Sequence, residues 1–303
     1  MLKKTLYFAN PYYLSTRNEQ LLIRQKECEV QTERSVPIED IGFLLLDHPQ
    51  VTISQVATQK LIHHNVAVIY CDEKHLPSAM LLPFDGNDRQ NERFRLQLET
   101  TEPLRKQLWQ QTIKAKIENQ AIVLEQIKGS SGKLRTMVKE TISGDSTNRE
   151  AVAARYYWSQ LFKDYVPDFQ RDRYGDYPNN LLNYGYAILR AATARAIVGV
   201  GLHCTLGINH HNRNNAYCLA DDLMEPYRPF VDRQVAEIVA LEHPNFSTEL
   251  SQAHKQRLLG LLANDTDFGE MRSPLMIALQ RSATSLLKCY EGEIRKMSYP
   301  IIV

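Results

Sequence analysis

Two periodicities divide the chain. From residue 5 to about 82 the apolar positions come in short runs: "TLYFA", "QLLIRQ", "ECEVQTE", "IGFLLLD" and "VAVIYC". These runs are rich in β-branched and aromatic residues, as strands are, and are broken by Asn-Pro, Arg-Asn-Glu and His-Pro punctuation. In "ECEVQTE", Cys28, Val30 and Thr32 alternate with Glu29, Gln31 and Glu33, the pattern of a half-buried antiparallel strand. One short helix is predicted among the strands, over "SQVATQKLIHHN".

The segment "PFDGNDRQNE" carries Pro, Gly, Asp and Asn and reads as a linker. Beyond it the period becomes helical. Leu104, Leu108, Ile113, Ile117, Ala121, Leu124 and Ile127 recur at helical spacing, Pro103 suits the first turn, and "GSSG" ends the segment. Further helices are predicted at about 134–142, 147–163, 180–199, 219–241, 247–263 and 273–297. The expected fold class is therefore α+β multidomain: a small N-terminal antiparallel β domain over 1–83, a linker over 84–92, and a larger all-α domain over 93–303.

Composition changes this picture little. The 303 residues are 43% hydrophobic and 23% charged, an ordinary globular balance. No apolar run approaches the ~20 residues of a membrane span. The N-terminus has no signal-peptide core, which makes the cytoplasm the expected compartment. The five cysteines form no C-x-x-C pair and read as free thiols. A net charge of +1 gives no global argument for a polyanionic partner, so any nucleic-acid surface must be a local patch.

Three places carry candidate chemistry. Glu150 begins the apolar face of its own helix, with Ala153, Ala154, Tyr157 and Leu161 following at helical spacing. A lone carboxylate there is costly. It reads either as the far end of a Thr147-x-x-Glu150 capping box or as a metal ligand. His210 and His211 sit in a polar loop after Gly207, and adjacent residues in an extended segment face opposite ways, so at most one serves a given site. In "LADDLMEPYRP", Asp221 and Asp222 suit a helix N-terminus, whereas Glu225 lies between Leu223-Met224 and Pro226-Tyr227. Pro226 implies a kink there, and Arg228 can pair with Glu225 at i,i+3. Two carboxylates and an imidazole together match a divalent ion, and imidazole makes Mn2+ at least as natural as Mg2+.

At this point the motifs resemble the CRISPR-associated integrase family, the universal spacer-acquisition endonuclease of CRISPR–Cas immunity. The resemblance spans nearly the whole chain and is carried by "REAVAARYYW", "NNLLNYGYAILRA", "GLHCTLGINH", "LADDLMEPYRP" and the terminal "YP". The compact form and the "HHNRNNAYCLADDLMEP" wording look most like the version accompanying type II systems. The resemblance implies a catalytic metal site of Glu150, His210 and Glu225 holding Mg2+ or Mn2+, with Asp222, His211 and Arg228 as candidate outer-shell residues, His211 standing as the alternative ligand to His210 and Asp222 as the alternative to Glu225. The family often has Gly after the glutamate, where this chain has Ala151. It also implies a homodimer formed through the β domain, and a heterohexamer in which two dimers are bridged by a small ferredoxin-like subunit.

The implied reaction is transesterification, in which a 3′-hydroxyl of a short duplex attacks a phosphodiester at the edge of a CRISPR repeat. Candidate contacts to the double-stranded DNA are Arg171 and Arg173, in "FQRDRYGDYPNN", and Arg135 and Lys139, in "RTMVK". Surface pairing of Arg171 and Arg173 with Asp172 and Asp176 is the competing reading. Rival functions are a metal-dependent nuclease that cuts without joining, and a non-catalytic helical scaffold.

Overall fold

The structure is a computed structural model describing residues 3–26, 33–269 and 271–303. It separates into two compact units, Met1–Gln90 and Asn91–Val303. The predicted strand over Cys28, Val30 and Thr32 lies outside the described residues.

The first unit is β-rich. Strands β1 (Lys4–Phe8), β2 (Tyr12–Arg17), β3 (Gln20–Gln25), β4 (Glu33–Pro37), β5 (Ile41–Leu46) and β6 (Thr52–Ile53) precede helix α1 (Gln55–His63). Strands β7 (Ala67–Cys71) and β8 (Pro77–Leu81) follow it. Ser54 caps α1 by accepting from the Ala57 N–H. One sheet has the order β1-β5-β7-β8 and the other β4-β3-β2-β6. The Arg17–Gln20 hairpin turns through Asn18 and Glu19, both at positive φ, as a tight two-residue turn demands.

Strand pairing corrects the antiparallel expectation. β1 with β5, β5 with β7 and β2 with β6 are parallel. Among the described residues of this unit, the pairs β2–β3, β3–β4 and β7–β8 are antiparallel. The sequence explains this after the fact. β5 reads "IGFLLL" and is buried at every position, the continuous apolar run of a strand covered on both faces. Its parallel partner β7 is reached by a crossover that contains α1. The core on one side joins Phe8, Leu14, Leu21, Ile41, Leu44 and Leu61.

The second unit is largely helical: α2 (Gln90–Glu99), α3 (Glu102–Lys128), α4 (Leu134–Glu140), α5 (Arg149–Leu161), α6 (Asn179–Gly199), α7 (Cys218–Met224) and α8 (Arg228–Glu242). Then come α9 (Gln252–Gly260), a small hairpin of β9 (Asp265–Asp267) and β10 (Arg272–Pro274), and α10 (Leu275–Tyr290). The hairpin corrects the all-helical expectation, and its β10 strand occupies the start of the helix predicted from 273. Helix α2 begins inside the predicted linker. The predicted 219–241 helix is interrupted by a 3-10 turn over Glu225–Tyr227, because Pro226 has no N–H with which to continue the α7 ladder.

Helix α3 is the axis of this unit. Pro sits in its first turn, and Gly129 ends it at φ 73. It packs against α4, α5, α8 and the Glu225–Tyr227 turn. It buries Leu108, Ile113, Ile117, Ala121 and Leu124 of the predicted apolar stripe, and with them Trp109, Thr112, Lys116, Asn119 and Gln120. Among the described residues, no helix is long and apolar enough to cross a membrane.

Candidate active site

Helix α5 delivers Glu150 with its first turn, and the cap is not the predicted box. Asn148 takes the left-handed conformation at φ 53 and makes no side-chain cap. Asp145 satisfies the helix start instead, accepting from the Arg149 N–H at 2.8 Å and the Glu150 N–H at 3.0 Å. The Glu150 carboxylate is thereby released from backbone duty. Ala153, Tyr157 and Leu161 bury the same helix face, which anchors Glu150 at the edge of the core.

The Glu150 side chain meets α3. Lys116 Nζ donates to Glu150 Oε1 at 2.6 Å, and the same ammonium lies 2.6 Å from Glu225 Oε2. Glu225 arrives from the break between α7 and α8 and is only 4% exposed. Arg228, one turn on, donates from Nε to Glu225 Oε1 at 2.8 Å, the i,i+3 pair expected from spacing. Burial raises the Glu225 carboxyl, but Arg228 and Lys116 outweigh it and hold the group below the usual carboxylate range. For Lys116, burial favours the neutral amine and the Glu225 and Glu150 carboxylates oppose it; the balance keeps it a cation. Glu225 Oε2 is buried and lies 2.6 Å from the Lys116 ammonium. Two carboxylates gathered on one cation are a donor set that suits a divalent metal ion.

The histidine is set by Asp222, which is fully buried. Its Oδ2 accepts from the Ile208 N–H at 2.6 Å and the Asn209 N–H at 2.9 Å, and its Oδ1 accepts from the His210 N–H at 3.2 Å. His210 Nδ1 is 2.5 Å from Oδ1. Burial holds the Asp222 carboxyl above its ordinary value, with His210 and the backbone N–H groups opposing it. If Nδ1 carries the proton donated to Asp222, His210 Nε2 keeps a lone pair, as in histidines whose other ring nitrogen is held by a carboxylate. The Asp222 hydrogen bond raises the His210 pKa despite partial burial, and the charges of Glu225 and Glu150 also reach the ring. Trp109 on α3 backs the imidazole edge-on at 5.6 Å. Gly207 allows the wrap: a Cβ there would lie 2.2 Å from the His210 carbonyl oxygen and 2.8 Å from Asp222 Oδ2.

The other residues singled out from sequence separate clearly. His211 is exposed and turns back to the Asn209 carbonyl, away from Asp222. Asp221 is chelated by Arg190 at 2.7 and 2.9 Å, tying α7 to α6. Arg135 pairs with both Glu118 and Glu125, clamping α4 onto α3. Lys139 is exposed on α4. Arg171 donates to the Asn179 and Asn183 side-chain oxygens at 3.0 and 2.6 Å. Among the described residues neither Arg171 nor Arg173 makes an ion pair with Asp172 or Asp176.

Arg171 and Arg173 instead line a cavity of about 310 Å³ together with Lys116, Arg228, Glu225 and Asp232. Two guanidinium groups approach the Tyr186 ring, Arg171 at 5.2 Å and Arg228 at 4.6 Å from its centre. Four basic side chains against two carboxylates make this wall of the site attractive to phosphate.

Sequence reasoning missed Lys116, Asp145 and Asn119. Asn119, fully buried, donates to the Pro226 and Pro300 carbonyls at 2.8 and 3.0 Å and accepts from the Ile302 N–H at 3.1 Å. It ties the turn behind Glu225 to the C-terminal "YP" segment, where the Tyr299 hydroxyl meets Thr112 at 2.8 Å. The available signal was a second stripe on α3, Trp109, Thr112, Lys116 and Asn119, at three- to four-residue spacing. Among the described residues no three His, Cys, Asp or Glu side chains already surround a common ion position. The two glutamates instead flank the Lys116 ammonium.

The sequence profile of the family described as "CRISPR associated protein Cas1" matches residues 6–254. A "CRISPR-associated endonuclease Cas1" from Neisseria meningitidis serogroup C (strain 8013) is 34% identical over 94% of this chain and 91% of its own length. Among solved structures, a "Casposase bound to integration product" superposes with a TM-score of 0.77 at 20% identity, covering 98% of this chain and 93% of that one. A chain of a "Cas6-RT-Cas1--Cas2 complex" superposes with a TM-score of 0.74 at 20% identity, covering 99% of this chain and 36% of that one.

Proposed function

The chain belongs to the CRISPR-associated Cas1 family, and from that premise we propose that it is a divalent-metal-dependent DNA integrase and endonuclease of CRISPR adaptation. It joins the 3′-hydroxyl ends of a short duplex to a phosphodiester at the edge of a CRISPR repeat. The observation that carries this reading is the convergence of Glu150 and Glu225, from separate elements, on one cation position. Glu150, Glu225 and His210 Nε2 would hold Mg2+ or Mn2+. When bound, such an ion neutralises charge on the phosphoryl oxygens and activates the attacking oxygen. Asp222 fixes the tautomer and direction of His210. Arg228 orients Glu225, and with Arg171 and Arg173 presents cationic groups to the DNA backbone. No side-chain nucleophile is required.

The "Casposase bound to integration product" supports joining over cleavage alone. The test is incubation of the protein with Mn2+, a labelled 3′-hydroxyl duplex and a supercoiled plasmid carrying a repeat. Covalent joining is expected, and His210→Ala should lose it. Nicking without joining would assign the nuclease reading, and a folded protein that does neither would assign the scaffold.

Assembly is part of the proposal. The β-rich unit forms the homodimer, and two dimers are bridged by a small ferredoxin-like subunit in a heterohexamer, a reading the Cas1–Cas2 assembly named for a structural relative supports. The type II version is proposed on the wording of the His210–Pro226 stretch. Affinity for DNA should fall steeply with salt: contacts from Arg171, Arg173 and Arg228 imply a log–log slope of about −3 or steeper, at ~0.9 per phosphate neutralised. A flat plot would remove the phosphate wall from the DNA path.

A further inference from the structure

We propose that Lys116 is a built-in counter-cation of the catalytic centre: it holds the two glutamates together before the divalent ion binds, and it must yield its position for the ion to enter. This rests on the metal-dependent reading above.

Three observations lead there. Lys116 Nζ is 2.6 Å from a carboxylate oxygen of Glu150 and 2.6 Å from one of Glu225, so it sits where two ligands from different elements converge. The Glu225 Oε2 atom is buried, and the Lys116 ammonium is the counter-charge 2.6 Å from it. Both carboxylates attract the ammonium, which donates to Glu150 Oε1. Finally, Lys116 forms part of the wall of the cavity that Arg171, Arg173 and Arg228 share. Its unbranched four-carbon stem gives the ammonium a route from the carboxylates into that space.

The consequence is an exchange. Without the ion, Lys116 prevents Glu150 and Glu225 from repelling each other in a partly buried site. Entry of a divalent ion makes the ammonium a like charge beside it, and Lys116 turns toward the cavity. There it adds a fourth cation to the three arginines facing the DNA backbone. Lys116 is thus a positioning residue for the ligands, and its charge opposes ion binding.

The experiment is calorimetric titration of Mn2+ into the metal-free full-length protein, comparing the parent with Lys116→Met and Lys116→Gln. Both variants should bind Mn2+ at least about tenfold more tightly, since a unit charge beside two ligands has been removed. Both should also melt lower than the parent without metal and gain more from its addition. A lysine with a merely structural role would lower the melting temperature without tightening Mn2+ binding. Unchanged or weaker Mn2+ binding in either folded variant overturns the proposal. In the unmutated protein, acylation of Lys116 followed by peptide mass spectrometry should rise several-fold when Mn2+ is added; unchanged labelling also overturns it. The double variant Glu150→Gln, Glu225→Gln separates the two readings. If it binds Mn2+ like the parent, the metal centre itself is misplaced. If it loses Mn2+ while the Lys116 variants match the parent, only the exchange fails.

Discussion

Replacing Glu225 by alanine is expected to cut strand joining by on the order of 10³-fold and to lower the melting temperature by about 10 °C. The activity loss follows from the proposed ligand role, because several kcal/mol of charge stabilisation at the reacting phosphate corresponds to about three powers of ten in rate. The stability loss follows from burial. Glu225 is the shared counter-ion of Lys116 and Arg228, which flank it at 2.6 and 2.8 Å. Removing one member of a buried ion pair costs roughly 3–5 kcal/mol, because the remaining charge keeps its desolvation penalty. At ~2–4 °C per kcal/mol for a unit of this size, that is a shift a thermal melt resolves easily. Glu150→Ala is the informative contrast. Its side chain is 26% exposed, so joining should fall as far while the melting temperature moves less. Wild-type joining by a Glu225→Ala protein would remove that residue from the site.

Asp222→Asn should reduce Mn2+ affinity by roughly 10- to 100-fold, with joining falling at least as much, while the helices stay folded. The carboxylate does two things that an amide cannot do together. It accepts from the Ile208, Asn209 and His210 backbone N–H groups, and it accepts from His210 Nδ1. An asparagine that turns its oxygen toward the backbone presents NH2 to Nδ1. That forces the proton onto Nε2 and abolishes the lone pair that would reach the ion. Asp222→Ala should be harsher, since it orphans buried N–H groups at about 1–3 kcal/mol each and releases the loop. Calorimetry with Mn2+ and the joining assay check both. An Asp222→Asn protein with parental Mn2+ affinity would show that the imidazole is oriented by something else.

The residues legible from sequence were those whose position is set by local pattern. Glu150 stood out because helical spacing put it at the head of an apolar face, and Glu225 because Pro226 had to break the helix there. The i,i+3 pairing of Glu225 with Arg228 followed from the same spacing. The capping-box reading of Thr147 and Glu150 failed because Asn148 takes a left-handed conformation, which brings Asp145 to the helix start in place of Thr147. Arg135 carried the same basic signature as Arg171, yet one clamps α4 to α3 and the other lines the cavity. A charged side chain does not announce its partner when that partner is far along the chain.

Sequence alone thus determined the two-unit plan, because the switch from strand-like runs to helical spacing is a property of neighbouring residues. It also placed the three proposed ligands on their elements. It did not determine that β5 would pair in parallel on both sides, since one apolar run suits either direction of partner. Nor did it determine that Asp222 would hold His210 while Asp221 went to Arg190. Above all, Lys116 read as one more charge on a long helix until folding brought its ammonium between two carboxylates 34 residues apart from it in one case and far beyond that in the other. Convergence of that kind depends on how helices pack, and packing is a long-range energy that no local pattern records.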